Sequence, residues 1–459
     1  MSMADNSLKQ YTELYLEHKQ QVDANSAPVL NALRPKALEV LTGASLPHTD
    51  AEGYERTSIA EMFAPDYGVN IMRMNLPVDV AASFRCDVPN LSTLLGVVVN
   101  DSFHPTATLD QRLPEGVIFG SLCKNAALHP ELVKRYYGSL APLTNVSVAL
   151  NSLLCQDGVF LYVPKGVKLE KPLQLVNIFS SPTPLAAFRR VLVVLEDDAE
   201  ARLLVCDHVQ DNDQSYLASQ VVEVVMGRNS VFDFYDIEDS SATTRRHSML
   251  YASQPDGSNL LVNGMTLQCG STRNEYNIML PGSHTETLLA GMAIASGGQH
   301  VDNNSTVTHI GNSGHSTQLF KYVVDDVASG AFEGSILVTP GAQFTEAYQS
   351  NRNLLASTGA KMHTKPQLEI YNDDVKCSHG ATTGQLDSEA LFYMRSRGIP
   401  EHEARVMLMQ AFMTDVIDTV RIPGLRERLQ YLVDKRFQGG LRQCGSCGSA
   451  CHDSKTPQQ

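Results

Sequence analysis

The chain has 459 residues, 43% of them apolar, and a net charge of −14. That length exceeds one ordinary globular core, so about two to four folded units are expected. The acidic balance argues against a nucleic-acid backbone as the main partner, because phosphate recognition needs a local excess of Lys and Arg.

No run of about 18 apolar residues occurs, so no membrane span is expected. The opening MSMADNSLKQYTELYLEH lacks the basic start and apolar core of a secretory signal. Six of the nine cysteines, Cys86, Cys123, Cys155, Cys206, Cys269 and Cys377, are scattered. That is the reduced-thiol pattern of a cytoplasmic protein, not a disulfide framework.

Residues 1–145 read as a mainly helical N-terminal domain. Leu8, Tyr11, Leu14 and Tyr15 follow helical spacing. Leu113–Ile118 is a turn leading into a short strand. Pro130 suits the first turn of a second helix that runs through Tyr136. From about residue 146 to 386 the texture becomes strand after strand: VFLYVP, LQLVNIF, VLVVLED, ARLLVCDHV, VVEVVM, SVFDFYDI. Near-continuous apolar runs suit strands buried on both faces, and no amphipathic helices separate them, which argues against a doubly wound sheet. Turn signals at Asp198-Ala199, Gly227-Arg228, Asp256-Gly257, Pro281-Gly282, Gly311-Asn312 and Gly341-Ala342 recur every 25 to 30 residues or so, a repeat period. These features predict a parallel β-helix. A β-sandwich with hairpins is the alternative, disfavoured because these recurring turn signals are not the two-residue Asn-Gly type that marks hairpins.

Residues 387–440 read as a C-terminal helical domain. Asp387 caps a helix with Glu389 in its first turn, and Gly398 stops it. Pro400 opens a longer helix with two apolar sides. One carries Ala404, Met407, Leu408, Ala411, Phe412 and Val416, the other Val406, Met409, Met413 and Val420. Pro423 is expected to end it. A third helix carries Leu425, Leu429, Leu432, Val433 and Phe437. Residues 441–459 read as a flexible, Cys-rich tail.

Three groups could carry chemistry. Cys377 and His379 sit two residues apart, so a strand would point both to one face. A thiolate and an imidazole can ligate a metal, but two donors do not complete a tetrahedral site. The alternative is a small buried cysteine beside a surface histidine. His300, Asp302 and His309 could form a metal face, or serve only as polar residues at a solenoid corner. Cys444, Cys447, Cys451 and His452 contain a Cys-x2-Cys half-site for zinc or an iron–sulfur cluster, or form an unmetallated tail. No P-loop, GxSxG, HExxH or GxGxxG pattern occurs.

The pieces HVDNNSTVTH, QLFKYVVDD, PGAQFTEAYQSNRNLL, KMHTKPQLEIYNDDVKCSHGATTGQLD and EALFYMRSRGI closely resemble the SufB/SufD family of iron–sulfur cluster assembly scaffolds. Within it, the KCSHGA segment and LPHTDAEGYERTSI are most like the SufD branch. Tyr54 stands where many relatives have tryptophan, and the tail from Cys444 departs from the family pattern. The resemblance implies a right-handed parallel β-helix core with helical domains at both ends. It implies a non-catalytic scaffold paired with a SufB-type subunit, with SufC-type ABC ATPases docked on the C-terminal helices and sulfur-donor proteins reached through the complex. It also implies that Cys377 and His379 lie near the SufB junction, where iron or a transient iron–sulfur cluster binds, and that this chain holds no nucleotide itself. Two other expectations remain open: a SufB-like homodimeric scaffold, and a β-helix enzyme acting on a polysaccharide.

Overall fold

The computed structural model describes residues 7–74, 78, 93–104, 112–210 and 213–439. Strands dominate the middle. The first are β1 (Gly68–Val69), β2 (Leu94–Val99), β3 (Ser102–His104), β4 (Ile118–Ser121), β5 (Gly158–Val163) and β6 (Leu173–Phe179). There follow β7 (Leu185–Leu195), β8 (Glu200–Val209), β9 (Tyr216–Val225), β10 (Val231–Asp239), β11 (Thr244–Ser253), β12 (Asn259–Gln268) and β13 (Ser271–Leu280). The last are β14 (Glu286–Ala295), β15 (His300–His309), β16 (His315–Val324), β17 (Ser329–Val338), β18 (Glu346–Leu355), β19 (Lys361–Ile370) and β20 (Lys376–Gln385).

From β5 onward, odd strands stack in one sheet and even strands in the other, all parallel. The result is a two-sheet β-solenoid of about 8 turns. Val231, Asn259, Glu286, His315, Glu346 and Lys376 lie in one register column. One coil therefore takes roughly 27–31 residues, the period of the turn signals. At one corner the backbone turns through left-handed conformations at Asp198, Asn229, Gly257, His284, Ser313 and Phe344. These corners hydrogen-bond upward: the amide of Asp198 donates to Arg228 O at 2.8 Å, Asn229 to Asp256 O at 2.9 Å and Gly257 to Ser283 O at 2.9 Å. Asn, Asp and Gly tolerate that conformation, which is why they occupy the first three of these corners. At the other end of the stack, β2 and β4 extend the two sheets and β3 adds an antiparallel edge.

The continuous apolar runs follow from burial on both faces. In β8, Ala201, Leu203 and Val205 fill the interior, while Leu204 and Cys206 face outward beneath the C-terminal helices. In the other sheet Phe160, Leu192 and Val194 pack outward on Leu122, Ala126 and Val133 of the N-terminal helices. The interior also carries charge at the parity of its apolar residues. Arg246 Nε stands 3.0 Å from Asp207 and its Nη2 pairs with Asp236. Glu238 lies 3.9 Å from Arg246 Nη1 and accepts from Thr272 at 2.8 Å. Burial lifts Glu238 to about 7, outweighing Arg246.

Helix Ser388–Ser396 starts on Asp387, whose side chain accepts from the amides of Glu389 and Ala390, and Gly398 follows it at φ +89°. The long helix Glu401–Ile417 ends six residues before Pro423. The expectation for that proline is therefore corrected: Pro423 opens the helix Pro423–Phe437, where its missing N–H costs nothing. Of the two apolar sides of the long helix, neither is buried as a whole: Val406, Met409 and Met413 of one and Ala404 and Val416 of the other are buried, while Met407 is exposed.

Candidate functional site

The solenoid has one covered end and one open end. β19 pairs only with β17, and β20 only with β18. Every residue of these two strands is exposed or half-buried, whereas the strands beneath them are largely buried. Their outer backbone groups form an uncovered pair of sheet edges, the kind of surface that accepts another strand.

Cys377 and His379 lie on β20. Cys377 packs against the inward cluster Ile336, Val338, Ala342 and Ala347, so the alternation of the strand turns His379 to the same inner side. Because no further coil covers the end, this inner side is open, and His379 is exposed while Cys377 is half-buried. In register beneath them lie Ala347 and Gln349. Burial pushes the Cys377 thiol above its ordinary value, opposed by a hydrogen bond with the Ala347 backbone. A soft thiol and an imidazole suit iron or a cluster, but they are half a ligand set. Among the described residues no group of three or more His, Cys, Asp or Glu side chains is placed to hold a metal.

The His300 group separates. Asp302 faces outward and is held by Arg273 at 2.6 Å and by Thr57 Oγ1 at 2.6 Å. His300 bonds Thr57 at 2.9 Å and Ser329 at 2.7 Å. These contacts pin the N-terminal segment to the solenoid. Tyr54 joins them, with the Arg273 guanidinium 4.2 Å above its ring. His309 points the opposite way, into the interior, where it bonds Ser316 at 2.8 Å, and burial lowers it to about 4. Cys444, Cys447, Cys451 and His452 lie outside the described residues.

Sequence reasoning missed the polar interior below the rim. Gln318 and Gln349 occupy one register column, the column that His379 completes. The signal was available as two glutamines one coil apart at inward positions of successive strands.

The described residues form a two-sheet parallel solenoid, clasped by helices and left open at a coil bearing a thiol and an imidazole. Two family profiles match it: "SUF system FeS cluster assembly, SufBD core domain" over residues 178–412, and "SufBD protein N-terminal region" over residues 5–175. The chain belongs to the SufB/SufD family of iron–sulfur cluster assembly proteins. It is 29% identical to the iron–sulfur cluster assembly SufBD family protein slr0076 of Synechocystis, over 94% of each chain. It is 28% identical to SufD of Bacillus subtilis over 74% of this chain and 79% of that one, and 28% identical to SufD of Escherichia coli over 65% and 71%. No helix among the described residues is long and apolar enough to cross a membrane.

Proposed function

We propose that this chain is a non-catalytic scaffold subunit of iron–sulfur cluster assembly, acting in the cytoplasm. In this reading a SufB-type subunit docks on the free edges of β19 and β20. The Cys377 thiolate and the His379 imidazole then supply half the ligands for iron or a nascent cluster, and the partner supplies the rest. The observation that carries the reading is the last coil itself: β20 presents a thiol and an imidazole on the inner face of a coil on which, among the described residues, no further strand stacks.

A SufC-type ABC ATPase is assigned to the C-terminal helices. Between Glu401–Ile417 and Pro423–Phe437 lies a cavity of about 530 Å³ lined by Met407, Gln410, Thr414, Tyr431 and Asp434. Phe392 and Tyr393 of the preceding helix are exposed. Exposed apolar surface of this kind fits a protein partner. The chain has no P-loop, so the energy of ATP reaches it through another chain.

The test is co-expression with SufB-type and SufC-type subunits, followed by anaerobic iron and sulfide analysis of the purified complex. Cys377→Ala and His379→Ala should lower the cluster content without dissolving the complex. Full cluster content in both variants would overturn the site. A stable, cluster-bearing homodimer that ignores the SufB-type subunit would replace this reading with a homodimeric scaffold.

A further inference from the structure

The column beneath His379 is a chain of side-chain hydrogen bonds. Ser305 Oγ donates to Gln318 Oε1 at 2.8 Å. Gln349 Nε2 donates to the same oxygen at 3.3 Å. With its amide nitrogen committed inward, Gln349 keeps Oε1 buried and without a partner. A buried carbonyl oxygen left unpaired is unfavourable, so this atom is a strong acceptor awaiting a donor.

Two features fix that acceptor in place. Gln349 is 3% exposed, so its amide cannot swing into solvent. It also lies against Gly334 of β17, where an added Cβ would come within 2.3 Å of Gln349 Nε2. Only glycine leaves room for this amide. The residue stacked one strand further out, in register with Gln349, is His379. Adjacent strands lie about 4.8 Å apart, so an imidazole turned inward there can place an N–H on Gln349 Oε1.

We propose that Gln349 is a positioning residue for His379. Its Oε1 accepts a hydrogen bond from the N–H of one ring nitrogen, which fixes the tautomer and leaves the lone pair of the other nitrogen facing the open rim. An imidazole that binds a metal through one nitrogen commonly donates its other N–H to such an acceptor. The inference rests on the assignment of His379 as a ligand, and it adds the group that aims it. Gly334 acts through Gln349 by leaving its amide space.

The experiment uses the full chain labelled with ¹⁵N-histidine, with two-bond ¹⁵N–¹H correlation spectra recorded at slightly alkaline pH. The His379 signals are assigned by their loss in His379→Gln. The wild type should show one dominant tautomer at His379. Gln349→Leu and Gly334→Ala should collapse the separation between its two ring-nitrogen shifts. Gln349→Glu, which restores an acceptor, should recover it. A single tautomer that survives in Gln349→Leu, or averaged tautomers in the wild type, would overturn the proposal. Iron retention by the co-purified complex gives a second readout, with a loss of about tenfold or more expected for Gln349→Leu and unchanged retention counting against the role. Failure of the ligand assignment reads out separately, as unchanged iron in His379→Ala while the tautomer result stands.

Discussion

Arg190 Nη2 stands 2.7 Å from Glu223 Oε2, with both side chains fully buried, at the seam between the solenoid and the N-terminal helices. Glu223 also accepts from the amides of Gly138 at 3.0 Å, Leu140 at 3.0 Å and Ala141 at 3.2 Å. One carboxylate thus holds a loop of the N-terminal region onto β9. Removing one partner leaves the other charge buried and unpaired. Arg190→Ala should therefore lower stability by about 3–5 kcal/mol, read as the shift in denaturant midpoint. The double replacement by two apolar residues of similar volume should cost less.

Glu238 gives a pH signature. Burial raises it from 4.5 to about 7 in the folded chain. Its protonated form therefore supports folding fully below about pH 4.5, and that support is lost as pH rises through 7. Glu238→Gln should match the parent near pH 4 and exceed it at pH 8 by an amount on the order of 3 kcal/mol. Thermal midpoints measured across this range test it; a parallel decline of both proteins would count against a titrating Glu238.

Glu275 acts in the opposite direction. Burial alone would raise it, but His247 at 3.0 Å and Arg273 at 2.8 Å hold it at about 2. Its contribution is present above about pH 4.5 and is lost as pH falls toward 2. Glu275→Gln should flatten the acid limb of the stability profile by a few kcal/mol while lowering stability at pH 7.

Arg436 ties the last helix to the solenoid. It donates to Leu267 O at 2.8 Å, Ser296 Oγ at 2.9 Å and Gln299 Oε1 at 2.9 Å. Arg436→Ala should cost about 1.5–3 kcal/mol. Hydrogen exchange should speed up across residues 401–437 and stay slow in β5 to β9.

Under the proposed assignment of Cys377 as an iron ligand, its raised thiol predicts the pH trend of iron capture. Binding must displace the thiol proton, so apparent affinity rises by up to about tenfold per pH unit while the thiol stays protonated. Titrating iron(II) into the anaerobic complex at several pH values checks it, and Cys377→Ala should abolish the slope.

Much of the fold was legible because its signals are local. Asp198 and Gly257 mark corners because a left-handed turn favours such residues, whereas His284, Ser313 and Phe344 take the same conformation without that signal. The caps at Asp387 and Gly398 are likewise set by backbone groups a few residues away. Pro423 was misjudged because a proline suits the space after one helix and the first turn of the next equally well. The two apolar sides of the helix Glu401–Ile417 could not be resolved into one buried face, because packing draws Val406, Met409 and Met413 from one and Ala404 and Val416 from the other.

By itself the sequence determined the coil period, the two-sided burial of the strands and the pairing of Cys377 with His379 on one face, because each depends on spacing along the chain. Only the tertiary structure decided that this face opens at the uncovered end of the stack, that His309 turns inward while Asp302 is held beneath Thr57, and that Gln349 lies under His379. Those relationships join residues roughly one coil or more apart, and they depend on which strands stack and where the stacking stops.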